Sequence, residues 1–210
     1  MIDFLPFLKV APLLAVGLMS PGPDFMLISS LSMSRGRLTG IQGAAGIATG
    51  IMLYTALSLW GLGLLFEKML WLAIAIKVLG GLYLCYLGVL LWRSTFTKSE
   101  TASKTSAELP KKANKNAYGM GFLTSLTNPK VVAFFASIFA LALTPDTNTP
   151  TKIVTTLLCT LQTFGWFGFV AVALSTPRIR TRYQRWRKAI DRFAGSVLML
   201  FGLKLVFERG

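Results

Sequence analysis

The chain has 210 residues, 53% of them hydrophobic, a mean hydropathy of +0.60 and a formal net charge of +14. Charged residues are only 14%, against roughly 25% in an average soluble domain, which points away from a soluble fold and towards the membrane. Histidine is absent, so histidine catalysis and histidine metal ligation are excluded.

A membrane-crossing helix needs about 20 mostly apolar residues. Six stretches qualify, at roughly residues 4–33, 43–66, 69–92, 117–143, 153–174 and 189–207. The first lacks a basic leader and a small-residue cleavage site, so it reads as a retained span. Cys85 and Cys159 lie singly inside apolar stretches and read as small buried hydrophobes.

The connections alternate in charge. Loop one holds Arg35 and Arg37. Loop three holds Arg93, Lys98, Lys104, Lys111, Lys112 and Lys115. Loop five holds Arg178, Arg180, Arg182, Arg185, Arg187 and Lys188. Loops two and four hold only Lys68 and Lys152. Positive charge is retained in the cytoplasm, so the odd loops are predicted inside and both termini outside. With basic residues placed between spans, the net charge reads as a topology signal, and nucleic acid is not expected as a partner. Residues 94–116 are too polar for a core and read as a mobile cytoplasmic segment. Loop five interleaves Arg with Tyr183 and Trp186, the pattern of an anchor on anionic lipid.

The first stretch is interrupted by Ser20-Pro21-Gly22-Pro23-Asp24-Phe25. Proline donates no N–H and crowds the carbonyl four residues back, so Pro21 and Pro23 free the carbonyls of Gly17 and Met19. Gly22 between them accepts almost any backbone angle. Asp24 is the only acid deep inside an apolar stretch. Freed backbone and a carboxylate are tolerable in lipid only against protein or a wet cavity. The fourth stretch has its own break at Thr127-Asn128-Pro129-Lys130. Matching Pro23 to Pro129 puts Asp24 opposite Lys130.

The third and sixth stretches align without a gap, residues 75–92 over 189–206. Ala75, Ile76, Gly81, Leu84, Gly88 and Leu91 meet identical residues at 189, 190, 195, 198, 202 and 205. The expected fold is therefore all-α and polytopic, with two three-helix repeats at 1–93 and 117–210 joined by the loop at 94–116. An odd span count makes the repeats inverted across the bilayer. Interrupted helices at corresponding positions of inverted repeats mark a transport site.

Freed carbonyls attract cations, and N–H groups opening a half-helix attract anions. A zwitterionic amino acid presents both. Its ammonium would meet the carbonyls of Gly17 or Met19 and the Asp24 carboxylate; its carboxylate would meet the N–H groups after Pro129 or the Lys130 ammonium. A carboxyl away from water also favours its neutral form, which suits Asp24 to carrying a proton. Capping chemistry for Asp24 and a structural Asp24–Lys130 pair are the bland alternatives. Asn128 would satisfy loosened backbone or touch substrate. Gln162 and Thr163 would line the site or bond a neighbouring helix. Gly36, Gly40, Gly43, Gly46 and Gly50 read as a close-packing face, and small-residue faces would also serve a homodimer. Lys77 and Lys204 are placed to snorkel, and Asp191 to pair with basic residues of loop five.

The chain resembles the LysE-type amino-acid exporters, and more narrowly the homoserine/threonine efflux subgroup. The resemblance covers essentially the whole length. It is carried by SPGPDF at 20–25, GGLYLCYLG at 80–88, TNPK at 127–130 and DRFAG at 191–195. It implies export of small neutral amino acids across the bacterial inner membrane, driven by the proton gradient. Cofactor and enzymatic activity are not implied. The wider superfamily also handles basic amino acids, and some relatives move metal ions. A divalent-metal exporter is disfavoured by the lack of histidine, the isolated cysteines and a single buried acid.

Overall fold

In the computed structural model, the described residues are 2–20, 22–68, 70–96, 116–128, 130–132, 134–135 and 147–207, with the side chains of 62–74, 76–77, 177–178, 180, 184 and 205 left aside. They are helical, with no strand among them. The helices with described bounds are α1 Leu5–Met19, α2 Pro23–Arg35, α3 Arg37–Lys68, α4 Leu70–Ser94, α5 Ala117–Thr127, α6 Thr149–Leu174 and α7 Pro177–Phe207.

The helix ends follow local chemistry. Asn116 and Asn148 cap α5 and α6, accepting from the N–H groups of Gly119 and Thr151 at 2.9 Å each. Gly36 alone among the described glycines has positive φ, +89°, and separates α2 from α3. Helix α1 ends at Met19 and α2 starts at Pro23, the first helical turn being where proline is tolerated. The two are bent by 56° and together are long and apolar enough to cross a membrane.

By length and composition, Arg37–Gly61 of α3 and Thr149–Leu174 of α6 also qualify, and Val78–Ser94 is a shorter apolar helix. Three of the six expected spans thus meet that test among the described residues. Several expectations lie outside those residues: Met69, Lys98, Lys104, Lys111, Lys112, Lys115, Pro21, Pro129 and the end of the fourth stretch at 136–143. So do the side chains of Lys68, Lys77, Arg178 and Arg180.

Close packing brings the helices together at glycines. A Cβ on Gly88 of α4 would lie 2.6 Å from the Gly195 carbonyl oxygen of α7, and one on Gly195 would lie 2.7 Å from the Gly88 carbonyl. A Cβ on Gly202 would likewise lie 2.5 Å from the Gly81 carbonyl. Helices α4 and α7 therefore run antiparallel at near-backbone contact. The Trp92 indole N–H donates to Ser196 Oγ at 3.0 Å and Arg192 Nε to Thr95 Oγ1 at 3.1 Å along the same seam.

Helices α3 and α5 run parallel: Gly46 packs on the Tyr118 carbonyl and Gly121 on the Gly43 carbonyl, and a Cβ on Gly50 would meet Ser125 at 2.8 Å. Gly40 abuts Ser32 and Ala171, while Gly36 has open space around it. The glycines entering α3 thus split: four are packing contacts and Gly36 is a turn. Helices α1 and α6 also run parallel, joined by Asp3 N–H to Thr151 Oγ1 at 2.9 Å and Gln162 Nε2 to the Ala11 carbonyl at 2.8 Å. The core where these pairs meet is filled by Leu14, Ile28, Ile47, Ile51, Phe135 and Phe167, all below 2% exposed.

Candidate functional site

A helix leaves its last carbonyls without intrahelical donors. At the end of α1 two of these carbonyls find donors from distant helices. The Val16 carbonyl accepts from the Ser20 N–H at 3.2 Å. The Gly17 carbonyl accepts from the Lys130 ammonium at 2.8 Å, and the Leu18 carbonyl from the Trp166 indole N–H at 3.1 Å. The same ammonium donates to the Ser20 carbonyl at 2.9 Å. A cation at a helix C-terminus also complements the helix dipole.

The second break has a parallel arrangement. Asn128 ends α5, and its side-chain oxygen accepts from the Lys130 N–H at 3.0 Å. Its carbonyl accepts from Val131 and Val132 at 3.0 and 3.2 Å, opening a new helical turn. Just before the break, the Leu126 carbonyl accepts from the Tyr54 hydroxyl at 2.6 Å. In both broken helices, then, an aromatic donor from a neighbouring helix serves a carbonyl near the break.

Asp24 stands in the first turn of α2, two residues past Gly22, as Lys130 stands two residues past Asn128. An acid there is favoured by the dipole. Asp24 is 6% exposed. Among the described residues nothing hydrogen-bonds its Oδ1. Lys130 and Asp24 line one cavity, and among the described residues no ion pair within 4 Å joins them.

That cavity is about 30 Å³. Gly17, Ser20, Gly22, Asp24, Asn128 and Lys130 line its polar side; Leu14, Ile51, Phe134, Phe135 and Phe167 are among its apolar walls. Cavities that hold small ligands are commonly 300–1,000 Å³. The site is thus closed down, with room for water and not for an amino acid. A Cβ on Gly17 would meet the Phe134 ring at 2.8 Å, so this glycine is needed for the ring's approach. Gly22 is extended (φ −146°, ψ −174°), a conformation open to any residue, and the Lys130 stem lies 3.5 Å from its would-be Cβ.

The structure therefore gathers Gly17, Gly22, Asp24, Asn128 and Lys130 around one cavity. Met19 and Pro23 are outside its lining, and Gln162 is engaged with the Ala11 carbonyl. Pro21 and Pro129 lie outside the described residues. Thr163 is buried and returns its hydroxyl to the Cys159 carbonyl at 2.9 Å. Lys204 is exposed, as a snorkelling residue would be. Sequence reasoning missed Trp166, Tyr54 and the phenylalanine walls, because an aromatic residue inside an apolar stretch carries no mark of its own. Asp191, expected to pair with loop five, forms a salt bridge with Arg187 Nε at 3.8 Å and is 4% exposed, a burial the sequence did not signal.

Two interrupted helices bring backbone carbonyls, an acid and a base to one cavity. The chain matches the LysE type translocator family over residues 15–209, and it belongs to that family. It is 38% identical to the threonine efflux protein of Salmonella typhi and to that of Escherichia coli K12, in each case over 97% of this chain and 98% of the relative. It is 35% identical to a membrane protein of Haemophilus influenzae, over 91% of each chain. No solved structure matches. As a member of a translocator family the chain is a transporter and not an enzyme.

Proposed function

We propose that this protein exports small neutral amino acids, threonine and homoserine first, from the bacterial cytoplasm by proton antiport. The observation that carries this is the shared cavity at the two breaks. Its carbonyls and Asp24 suit an ammonium group, and Lys130 suits a carboxylate. The threonine efflux relatives, covered almost end to end, supply the substrate. A basic side chain would bring a second cation towards Lys130, which disfavours basic amino acids as cargo.

Asp24 is the proton carrier in this reading, buried beside the cavity with one oxygen unpartnered. The architecture is six spans in two inverted repeats, 1–93 and 117–210, with both termini outside in the inner membrane. The helix directions support it: α1 with α6 and α3 with α5 run parallel, and α4 with α7 antiparallel, as alternate crossings require. So does the exchange of contacts between aligned glycines. Gly81 corresponds to Gly195 and Gly88 to Gly202, while Gly81 meets Gly202 and Gly88 meets Gly195. That reciprocity is what a two-fold axis between repeats produces. The groove formed by Arg182, Arg185, Trp186, Lys188 and Arg192 suits anionic lipid headgroups.

The test is flux of labelled amino acids in inverted membrane vesicles, with and without an imposed proton gradient. Gradient-driven threonine uptake that far exceeds lysine uptake is expected. Gradient-independent flux would remove the antiport, and equal or greater lysine flux would remove the substrate assignment.

A further inference from the structure

Helix α7 carries Tyr183, Arg187 and Asp191 at spacings of four, which sets all three on one face. Tyr183 stacks on Phe25 with ring centroids 5.1 Å apart and planes 29° from parallel. Phe25 follows Asp24 in sequence and lines the cavity. This face of α7 is thus one aromatic layer from the site.

Two buried polar atoms on this face, the Tyr183 hydroxyl and Asp191 Oδ1, stand without a hydrogen bond among the described residues. They therefore do not bond each other. Asp191 is 4% exposed, and its other oxygen meets Arg187 Nε only at 3.8 Å. Leaving buried polar atoms unmade is costly, and native structures keep few of them without a role. Burial, with a further push from Asp191, raises the Tyr183 phenol to about 12, so it is a neutral donor in the cell.

The chemistry fits the two ends of an amino acid: a carboxylate oxygen for the ammonium, and a phenol and a guanidinium for the carboxylate. We propose that Asp191 and Tyr183, with Arg187, form a second amino-acid binding station on the cytoplasmic side of the cavity, where cargo is held before it enters. This rests on the exporter reading and on loop five facing the cytoplasm.

The experiment compares threonine kinetics from the two faces. Inverted vesicles present the cytoplasmic face, and right-side-out vesicles under counterflow present the other. Asp191→Asn should raise the cytoplasmic-side KM about tenfold, as loss of one charge-assisted hydrogen bond does. Tyr183→Phe should raise it about threefold by losing a neutral one. Vmax and the opposite-face KM should hold within about twofold of wild type, since neither station residue lines the central cavity. Asp191→Glu should recover most of the affinity. An unchanged cytoplasmic KM, or KM rising equally at both faces, overturns the station. If Asp191→Asn is missing from the membrane, Tyr183→Phe and Asp191→Glu decide by the same criteria. Wild-type vesicles that move no neutral amino acid from either face would instead overturn the exporter reading, and the station with it.

Discussion

The Lys130 ammonium lies 2.8 Å from the Gly17 carbonyl oxygen, across 113 positions of sequence. One side chain thus ties the break in the first helix to the break in the second. The bond also fixes how the two openings face each other. Any cargo carboxylate that recruits Lys130 must compete with two backbone carbonyls for it.

Lys130→Met should therefore damage both structure and transport. It strands the Gly17 and Ser20 carbonyls, at about 1–3 kcal/mol for each buried group left unpaired. Export should vanish and the melting temperature in detergent should fall. Lys130→Arg keeps the charge and should keep more of the stability. A Met variant as stable as wild type would show that water takes over both carbonyls.

Asp24→Asn should leave protein in the membrane and end export that follows the proton gradient. The amide nearly matches the carboxylate in shape but cannot take up and release a proton. Vesicle flux at several imposed gradients is the measurement. Full flux with an intact gradient response would assign the proton to another group.

Gly17→Ala should push the Phe134 ring from its place, since the added methyl would meet it at 2.8 Å. Overpacking of this kind costs about 1–3 kcal/mol. Threonine flux should fall several-fold while glycine or alanine flux falls less. A uniform drop for all substrates would point to misfolding instead.

Gly195→Leu should separate α4 from α7, because a Cβ there already lies 2.7 Å from the Gly88 carbonyl. The yield of folded protein in detergent should collapse. Phe193→Leu, at a side chain 61% exposed, is the matched control and should fold normally. Equal yields would show that the seam is not needed for assembly.

Cysteines placed at Lys104 and Lys152 should react with an impermeant reagent from opposite faces, Lys104→Cys only in inverted membranes. Labelling of both from one face would overturn the alternating topology.

How much was legible beforehand depended on whether a residue was rare in its setting. Proline, glycine and charge inside apolar sequence stand out, so Gly17, Asp24, Asn128 and Lys130 could be named from the chain alone. The paired glycines could be read too, because glycine at matched intervals in aligned helices has few other causes. Trp166 and Tyr54 could not, since an indole or phenol among apolar residues looks the same whether or not its polar end is used. Gln162 was legible as a buried amide, yet its choice between cavity and the Ala11 carbonyl depends on helix rotation, which hydropathy does not encode. Asp191 was legible as the partner of a loop-five base, and it pairs with Arg187 at 3.8 Å, yet its burial and the unpartnered Oδ1 could not be read from the chain.

The closed-down cavity bears on how an exporter can sit in an energised membrane without short-circuiting it. A passage wide enough for threonine at rest would also let protons and ions run down the gradient the cell maintains. With phenylalanines pressed on Gly17 and Lys130 fastened to two carbonyls, the cavity between the breaks is too small to pass an amino acid. If cargo passes between the breaks as proposed, it must part these contacts, and tightness against leakage and selectivity for amino acids would arise from the same few residues.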